Sequence, residues 1–425
     1  METEAGIQAR YLTSCQGYAS ANEPVIHFGV GEAKVIKRLT VRWPLGIEQT
    51  FDNLPADKFF VISEPPEGEP SPSSPEPFSL LVASNALSDV QHKENDFDDF
   101  KLQPLLPHRL SRLGPGMAWG DVDADGDEDV FLGGASGQPS VLALNDGNGT
   151  FTQKKLLYFE NEQLLPFEDM GAVFLDADSD GDLDLYVVSG GFDPRPKPLY
   201  LRDRLYLNDG KGDLTLDLDG TANIRDSGGP VAAADFDRDG DVDLFVGGRV
   251  VRGRYPTTPN SRLLRNDNGK FVDATDLIAA GLGTTGMVSG ALWSDFDDDG
   301  WLDLLVTHEW GPVGVWKNSA GKLANVSVPT GTAELLGWWT GIAAADIDED
   351  GDIDYAVGNL GLNSKYHASK EKPYLAYFGD LDGSGVPRFV EACHEGNLLF
   401  PVRGKSCSTH AMPSLAKRFS TFHAF

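Results

Sequence analysis

The sequence predicts an all-β protein whose larger part is a β-propeller with about six blades present, preceded by a small β-rich domain. Three observations predict it. A nine-residue, Asp-rich loop recurs five times, at starts 55, 59, 60 and 51 residues apart, and a loop repeating at that period marks one structural unit per copy. A short apolar, β-type run follows every copy. Downstream of the first four comes a turn rich in Asn, Asp and Gly, of the kind that tolerates positive φ and closes tight hairpins. Each period then holds about four strands with the Asp loop between the first two, which is the plan of a propeller blade.

Taken along the chain, residues 1–64 lack the loop. Their clearest element is Leu39-Thr-Val-Arg-Trp43, whose alternation sets Leu39, Val41 and Trp43 on one face of a half-buried strand, ended by the turn Pro44-Leu-Gly46. Residues 65–77 are Pro-rich, a stiff extended linker that forms no core. The repeats occupy 78–425. Their loops are followed by Val130-Phe-Leu, Leu185-Tyr-Val-Val, Leu244-Phe-Val, Leu304-Leu-Val and Tyr355-Ala-Val. Three are preceded by the small-residue segments Gly171-Ala-Val-Phe-Leu, Val231-Ala-Ala-Ala and Gly341-Ile-Ala-Ala-Ala, as suits innermost strands crowded around a shared axis. The hairpin turns begin at Asn145, Asn208, Asn266 and Asn318.

The loops read as cation sites. Carboxylates at positions 1, 3, 5 and 9, a Gly at 6 that permits a sharp turn, and a backbone carbonyl at 7 wrap oxygen around a hard cation. The first loop supplies Asp121, Asp123, Asp125, Asp127 and Asp129, and the second Asp176, Asp178, Asp180, Asp182 and Asp184. The third supplies Asp235, Asp237, Asp239, Asp241 and Asp243, and the fourth Asp295, Asp297, Asp299, Trp301 and Asp303. The fifth supplies Asp346, Asp348, Asp350, Asp352 and Asp354. An EF-hand is excluded, because position 12, where that loop needs a bidentate Glu, is Leu132, Val187, Val246, Val306 or Val357. A sixth, degenerate copy, Asp380-Leu-Asp-Gly-Ser384-Gly, has Arg388 at position 9 and is left open as a site. Four carboxylates within a few Å repel one another unless a dication sits among them, so about five Ca²⁺ ions are expected, with binding coupled to folding.

Composition bounds the function. A chain of 425 residues, 40% apolar, can bury more than one core. Its formal charge of −30 argues against nucleic acid, which needs a surplus of Lys and Arg. Three cysteines, Cys15, Cys393 and Cys407, make neither a disulfide framework nor a thiolate metal site, and pairing of Cys393 with Cys407 is left open. No run approaches the roughly 20 apolar residues of a membrane span, and the N-terminus lacks the apolar core of a signal peptide.

The five loops closely resemble FG-GAP or VCBS repeats, the blades of integrin-α-type propellers, in which positions 1, 3, 5 and 9 hold Ca²⁺. The resemblance implies that ligand set here, and a complete ring of seven blades. Residues 8–64, with Gly17-Tyr18, His27-Phe-Gly-Val-Gly31, Trp43-Pro-Leu-Gly46 and Val61-Ile-Ser-Glu64, resemble the ASPIC/UnbV domain. Proteins that combine the two include cartilage-acidic-protein-like chains and bacterial secreted ones. This implies an extracellular, cell-surface or periplasmic location and a fragment of a longer protein. The functional expectation is a calcium-stabilised, non-catalytic scaffold for adhesion or for binding an extracellular protein or glycan. The alternative is a propeller enzyme acting on polysaccharide, a lyase or hydrolase, and a third reading is a pure spacer.

Other candidates are few. Trp310, Trp338 and Trp339 offer aromatic faces for a sugar or a partner, or pack between blades. His308-Glu309 is a conceivable acid–base pair, but adjacent residues of a strand point to opposite faces. No nucleophile elbow, HExxH motif or phosphate loop is present. Asn148-Gly-Thr and Asn325-Val-Ser fit the glycosylation sequon.

Overall fold

The computed structural model describes residues 1–3, 6–8, 28, 30, 33–43, 47–56, 58, 60, 62–63, 65, 84–154, 167–347, 352–361 and 364–421. The chain divides into two units, Met1–Ser84 and Asn85–Phe425. Most of the Pro-rich segment, Gly17-Tyr18, His27, Gly31, Pro44 to Gly46, Val61 and Glu64 lie outside the described residues.

In the first unit, β1 (Glu2–Thr3), β2 (Gly6–Ile7), β3 (Val35–Arg42) and β4 (Glu48–Pro55) form an antiparallel sheet in the order β2-β1-β3-β4. β3 is the strand that the alternation predicts, with Leu39, Val41 and Trp43 all half-buried. Its partner β4 is held in register by the cross-strand pair Arg38 to Asp52 at 2.9 Å.

The second unit is nearly all β and made of propeller blades. Blade one contains β5 (Met117–Gly120), β6 (Asp129–Leu132), β7 (Val141–Asn145) and β8 (Phe151–Lys154). Blade two contains β9 (Asp169–Leu175), β10 (Asp184–Ser189), β11 (Arg204–Leu207) and β12 (Thr215–Asp217). Blade three contains β13 (Gly228–Ala234), β14 (Asp243–Gly248), β15 (Arg262–Arg265) and β16 (Val272–Asp273). Blade four contains β17 (Met287–Ser294), β18 (Asp303–Gly311), β19 (Gly314–Asn318) and β20 (Leu323–Asn325). All four are antiparallel meanders with the Asp loop between the first two strands, as the repeat requires. The fifth and sixth repeats depart from that plan. Among the described residues the fifth has only β21 (Gly337–Ala345) and β22 (Asp354–Asn359), and β21 pairs with the far end of β18 through Glu309↔Trp338. The sixth has β23 (Leu375–Gly379), β24 (Arg388–Glu395) and β25 (Leu398–Pro401).

Small residues let first strands lie side by side. A Cβ on Gly116 would come within 2.6 Å of the Gly171 backbone, and one on Gly171 within 2.2 Å of the Gly229 carbonyl. The blades then bury their apolar faces against one another. Phe131 and Leu142 meet Leu185, Val187 and Tyr206 between blades one and two. Tyr186 and Leu205 meet Leu244 and Leu264 between blades two and three, and Phe236 and Phe245 meet Leu304 and Trp316 between blades three and four.

At the strand ends opposite the Asp loops, the segment 91–113 crosses from blade to blade. His92 Nδ1 meets the Gly133 carbonyl at 2.9 Å, and Asn95 donates to Glu168 at 3.1 Å. Gln103 bonds both backbone groups of Tyr255 at 2.9 Å, and His108 Nε2 lies 3.2 Å from Glu309. Leu106 and Leu110 are fully buried here with Phe192, Tyr255 and Phe389. Nothing in the sequence marks this segment, because it carries neither the repeat nor a strand period.

Candidate metal centres

Each Asp loop is shaped by its own backbone before any ligand is considered. Position 4 is a non-glycine residue in the left-handed region in four loops, with φ of 58° at Ala124, 63° at Ser179, 62° at Arg238 and 55° at Asp298. The Gly at position 6 is left-handed as well, at 100°, 97°, 101° and 87°. Two such turns fold the loop back on itself, so that the Gly N–H donates to the position-1 carboxylate. Those bonds are Gly126 to Asp121 at 3.0 Å, Gly181 to Asp176 at 3.1 Å, Gly240 to Asp235 at 3.2 Å and Gly300 to Asp295 at 2.7 Å. The sixth loop closes the same way, Gly385 to Asp380 at 3.0 Å.

The carboxylates so gathered form four clusters that could hold a metal ion: Asp121, Asp123 and Asp129; Asp176, Asp178 and Asp184; Asp235, Asp237 and Asp239; and Asp295, Asp297 and Asp299. Within each, one ligand atom per residue lies within 4.8 Å of the others. Positions 1 and 3 thus come together in all four. Position 9 joins them in the first two loops and position 5 in the next two, while Asp125, Asp180, Asp243 and Asp303 stand outside those sets. Position 7, Asp127, Asp182, Asp241 or Trp301, adds no side chain to any cluster. Of the fifth loop, Asp348 and Asp350 lie outside the described residues, and Asp346, Asp352 and Asp354 are described.

Whether these residues fit a cation is decided by their oxygens. A buried polar atom without a partner is costly, yet Asp123 Oδ1, Asp176 Oδ1, Asp178 Oδ1, Asp182 Oδ1, Asp235 Oδ1 and Asp243 Oδ2 are all buried with no hydrogen-bond partner. All six belong to the first three loops. Burial, then crowding by neighbouring Asp, pushes up the carboxyls of Asp123, Asp178 and Asp237. Burial also lifts Asp182 and Asp184 to about 6 and Asp243 to about 7. A cation among these oxygens would relieve both costs, so the residues fit one.

Position 9 has a second task. Asp129, Asp184, Asp243 and Asp303 are essentially fully buried, and each accepts from the backbone N–H of its hairpin Asn, at 2.7 Å from Asn145, 2.8 Å from Asn208, 2.8 Å from Asn266 and 2.6 Å from Asn318. The Asn side chain then reaches into the preceding blade. Asn208 Nδ2 donates to the Val122 carbonyl at 2.7 Å, Asn266 to Ala177 at 2.8 Å and Asn318 to Phe236 at 2.8 Å. These carbonyls are position 2 of the preceding loop, so each hairpin ties its own loop to its neighbour's. Sequence reading took these residues for turn formers only. The signal available was their recurrence just after the third strand of each blade.

The other candidates make the following contacts. Trp310 donates to the Tyr255 hydroxyl at 2.5 Å and packs against Trp338 and Phe389; Trp338 also packs at a tilt against His108 and Tyr366. Trp339 donates to the Leu335 carbonyl at 3.0 Å. His308 is buried, its ring nitrogens engaged by the Pro312 carbonyl at 2.7 Å and Thr285 at 3.0 Å. Glu309 accepts from Arg249 at 2.5 Å, Tyr255 at 2.6 Å and His108 at 3.2 Å. Against the cost of its burial, these partners hold its carboxyl down to about 2, so it is a fixed anion and a poor proton donor. Cys393 and Cys407 are both free thiols.

The comparisons agree with the motifs. Residues 1–69 match the family model for ASPIC and UnbV, and residues 121–187 and 295–357 match that for the FG-GAP-like repeat. Over 224 residues, 49% of this chain, the sequence is 26% identical to cartilage acidic protein 1 of Mus musculus and 25% identical to that of Homo sapiens. The match spans 31% and 30% of those proteins, so it covers less than a third of each. Among solved structures, the exo-β-1,3-galactanase of Phanerochaete chrysosporium aligns over 68% of this chain and 67% of its own, at 9% identity and a TM-score of 0.32. Sqt1 of Saccharomyces cerevisiae aligns over 65% and 69%, at 11% identity and a TM-score of 0.33. The chain carries an ASPIC/UnbV module followed by FG-GAP-like repeats.

Proposed function

We propose that this chain is a calcium-rigidified, extracytoplasmic scaffold that presents its blade loops to an extracellular protein or glycan and has no catalytic step of its own. The observation that carries the reading is the set of buried, partnerless carboxylate oxygens in three successive loops, each loop bonded to the hairpin of the next blade. Filling such a loop offsets two of its negative charges and stiffens a blade-to-blade contact in the same step. Oxygen-only donors favour Ca²⁺ over Zn²⁺, and carboxylate sets that differ from loop to loop suit Ca²⁺ better than Mg²⁺, which demands near-ideal octahedral geometry.

Both sequon asparagines, Asn148 and Asn325, are exposed on hairpins, as glycosylation would require, and no helix among the described residues is long and apolar enough to cross a membrane. Glu309, of the His308-Glu309 pair that the sequence offered for acid–base work, is engaged by three partners.

A thermal melt of the whole chain, metal-stripped and then with Ca²⁺ or Mg²⁺, tests the reading. One site filled at 100 times its Kd adds about 2.7 kcal/mol, so several sites should raise Tm by many degrees with Ca²⁺ and much less with Mg²⁺. No shift, with no metal in the purified protein, would sink it.

A further inference from the structure

The fourth loop has the same spacing as its neighbours and a different electrostatic surrounding. Lys317, on β19, places its ammonium against Asp297 and lies 2.9 Å from Asp299. Both carboxylates belong to the cluster that the spacing offers to a cation. Asp297 and Asp299 are exposed, so this loop holds none of the buried partnerless oxygens found in each of the three preceding loops. Position 7 is Trp301 where the other four loops have Asp, and the Arg238 guanidinium from the third loop stacks over its ring at 4.2 Å. The fourth loop therefore lacks a carboxylate at position 7, Asp298 at position 4 keeping its total equal to that of the second and third loops, and it has two cationic side chains close by.

The residue equivalent to Lys317, just before the hairpin Asn, is Leu144 in the first blade and Leu207 in the second. In the third it is Arg265, which is exposed and makes no ion pair with its loop among the described residues. Among the described residues only the fourth blade brings this position into ion-pair contact with its loop, Arg265 acting on Asp237 at longer range. An ammonium held between two Asp carboxylates does what a bound cation does for the other loops, and a dication entering the same space must expel it.

We propose that Lys317 is the built-in cation of the fourth loop, so that this blade is closed without metal while its three predecessors depend on Ca²⁺. The inference deepens the calcium reading and rests on it. The ring would then have one metal-independent blade contact as a fixed element, and the Ca²⁺ count would fall one short of the motif count.

Native mass spectrometry of the full chain in saturating Ca²⁺ tests this with Lys317→Leu, which restores the residue of the first two blades. The variant should hold one ion more than wild type, and the reciprocal Leu144→Lys one ion fewer. Equal counts in wild type and Lys317→Leu overturn the proposal, whereas no ion on either protein overturns the calcium reading. A second measurement separates the two further. In metal-stripped protein Lys317→Leu should melt below wild type and Lys317→Arg close to it, whether or not Ca²⁺ binds anywhere. A Lys317→Leu melt unchanged from wild type would show that the ammonium neutralises nothing.

Discussion

The first four repeats and the last two share the Asp loop and differ in what covers their apolar strands. In blades one to four, Phe131, Leu185, Phe245 and Leu304 are fully buried between neighbouring sheets. In the fifth and sixth, β21 and β25 have no buried residue, and Ile347 just after β21 is 66% exposed, Leu336 just before it 73% and Leu398 in β25 65%. The difference teaches that a blade of this kind does not own its core. Each sheet exposes an apolar face that only the next blade covers, as in other stacked repeats, and a repeat with two or three strands offers and receives less cover. The sharpest way to break the comparison is to cut into both. Phe245→Ala should cost about 3–5 kcal/mol, and Ile347→Ala should stay within about 0.5 kcal/mol, read from the midpoint of urea unfolding. Equal losses would mean that the fifth repeat is as well packed as the third.

The second contrast is the Asn bridge. Asn208, Asn266 and Asn318 bond the first, second and third loops from the following blade, while the fifth repeat, ending at β22 among the described residues, has no such hairpin to offer the fourth loop. Asn266→Ala would leave the Ala177 carbonyl and the Gly269 N–H, bonded at 2.8 and 3.0 Å, without partners. Buried groups left in this way cost about 1–3 kcal/mol, so a loss near 2 kcal/mol is expected, with faster amide exchange around residues 177–181. Asn148→Ala, on an exposed turn of the first hairpin, serves as the control and should be near neutral. Slow exchange in Asn266→Ala would show that the loop is rigid without its neighbour.

What the sequence disclosed follows from these interactions. The loop, the flanking strands and the hairpins were legible because backbone geometry dictates them locally: a left-handed Gly at position 6 and alternating apolar runs look the same in any blade. The Asn bridge and Lys317 were not, because a turn-forming Asn and a strand-end Lys carry no mark of what their side chains reach in another part of the sheet. The reduced fifth repeat was illegible for a related reason. Its loop sequence follows the repeat and its first two strands are formed, and the outer strands expected after Asn359 are set by pairing that no local pattern specifies. The segment 91–113 was missed because its buried bonds, such as Asp99 accepting from Leu110 and Ser111 at 2.8 Å, serve a chain path that has no period.

The smallest effect is the one that distinguishes the loops by charge alone. Burial raises Asp184 to about 6 and Asp243 to about 7 from an ordinary 3.8. A raised folded-state value means that the native protein binds these protons more tightly than the unfolded chain does. Their contribution is therefore full below about pH 4 and is lost as pH climbs through 6 to 7. Asp299 has the opposite sign. The Trp301 N–H and Lys317 hold it below its ordinary value, so its contribution is present at neutral pH and fades only on acidification. Metal-stripped protein should accordingly melt a few degrees higher near pH 5 than near pH 8, about what 1 kcal/mol moves a domain of this kind. Calcium should reverse the slope, because the ion competes with the same protons. Asp184→Asn, which cannot ionise, should flatten the metal-free slope, whereas Asp299→Asn should leave the slope between pH 5 and pH 8 unchanged, because Asp299 is ionised in both states across that range. A metal-free Tm that does not change across that range would mean that the carboxylates of the first three loops are neither buried nor crowded enough to need a cation.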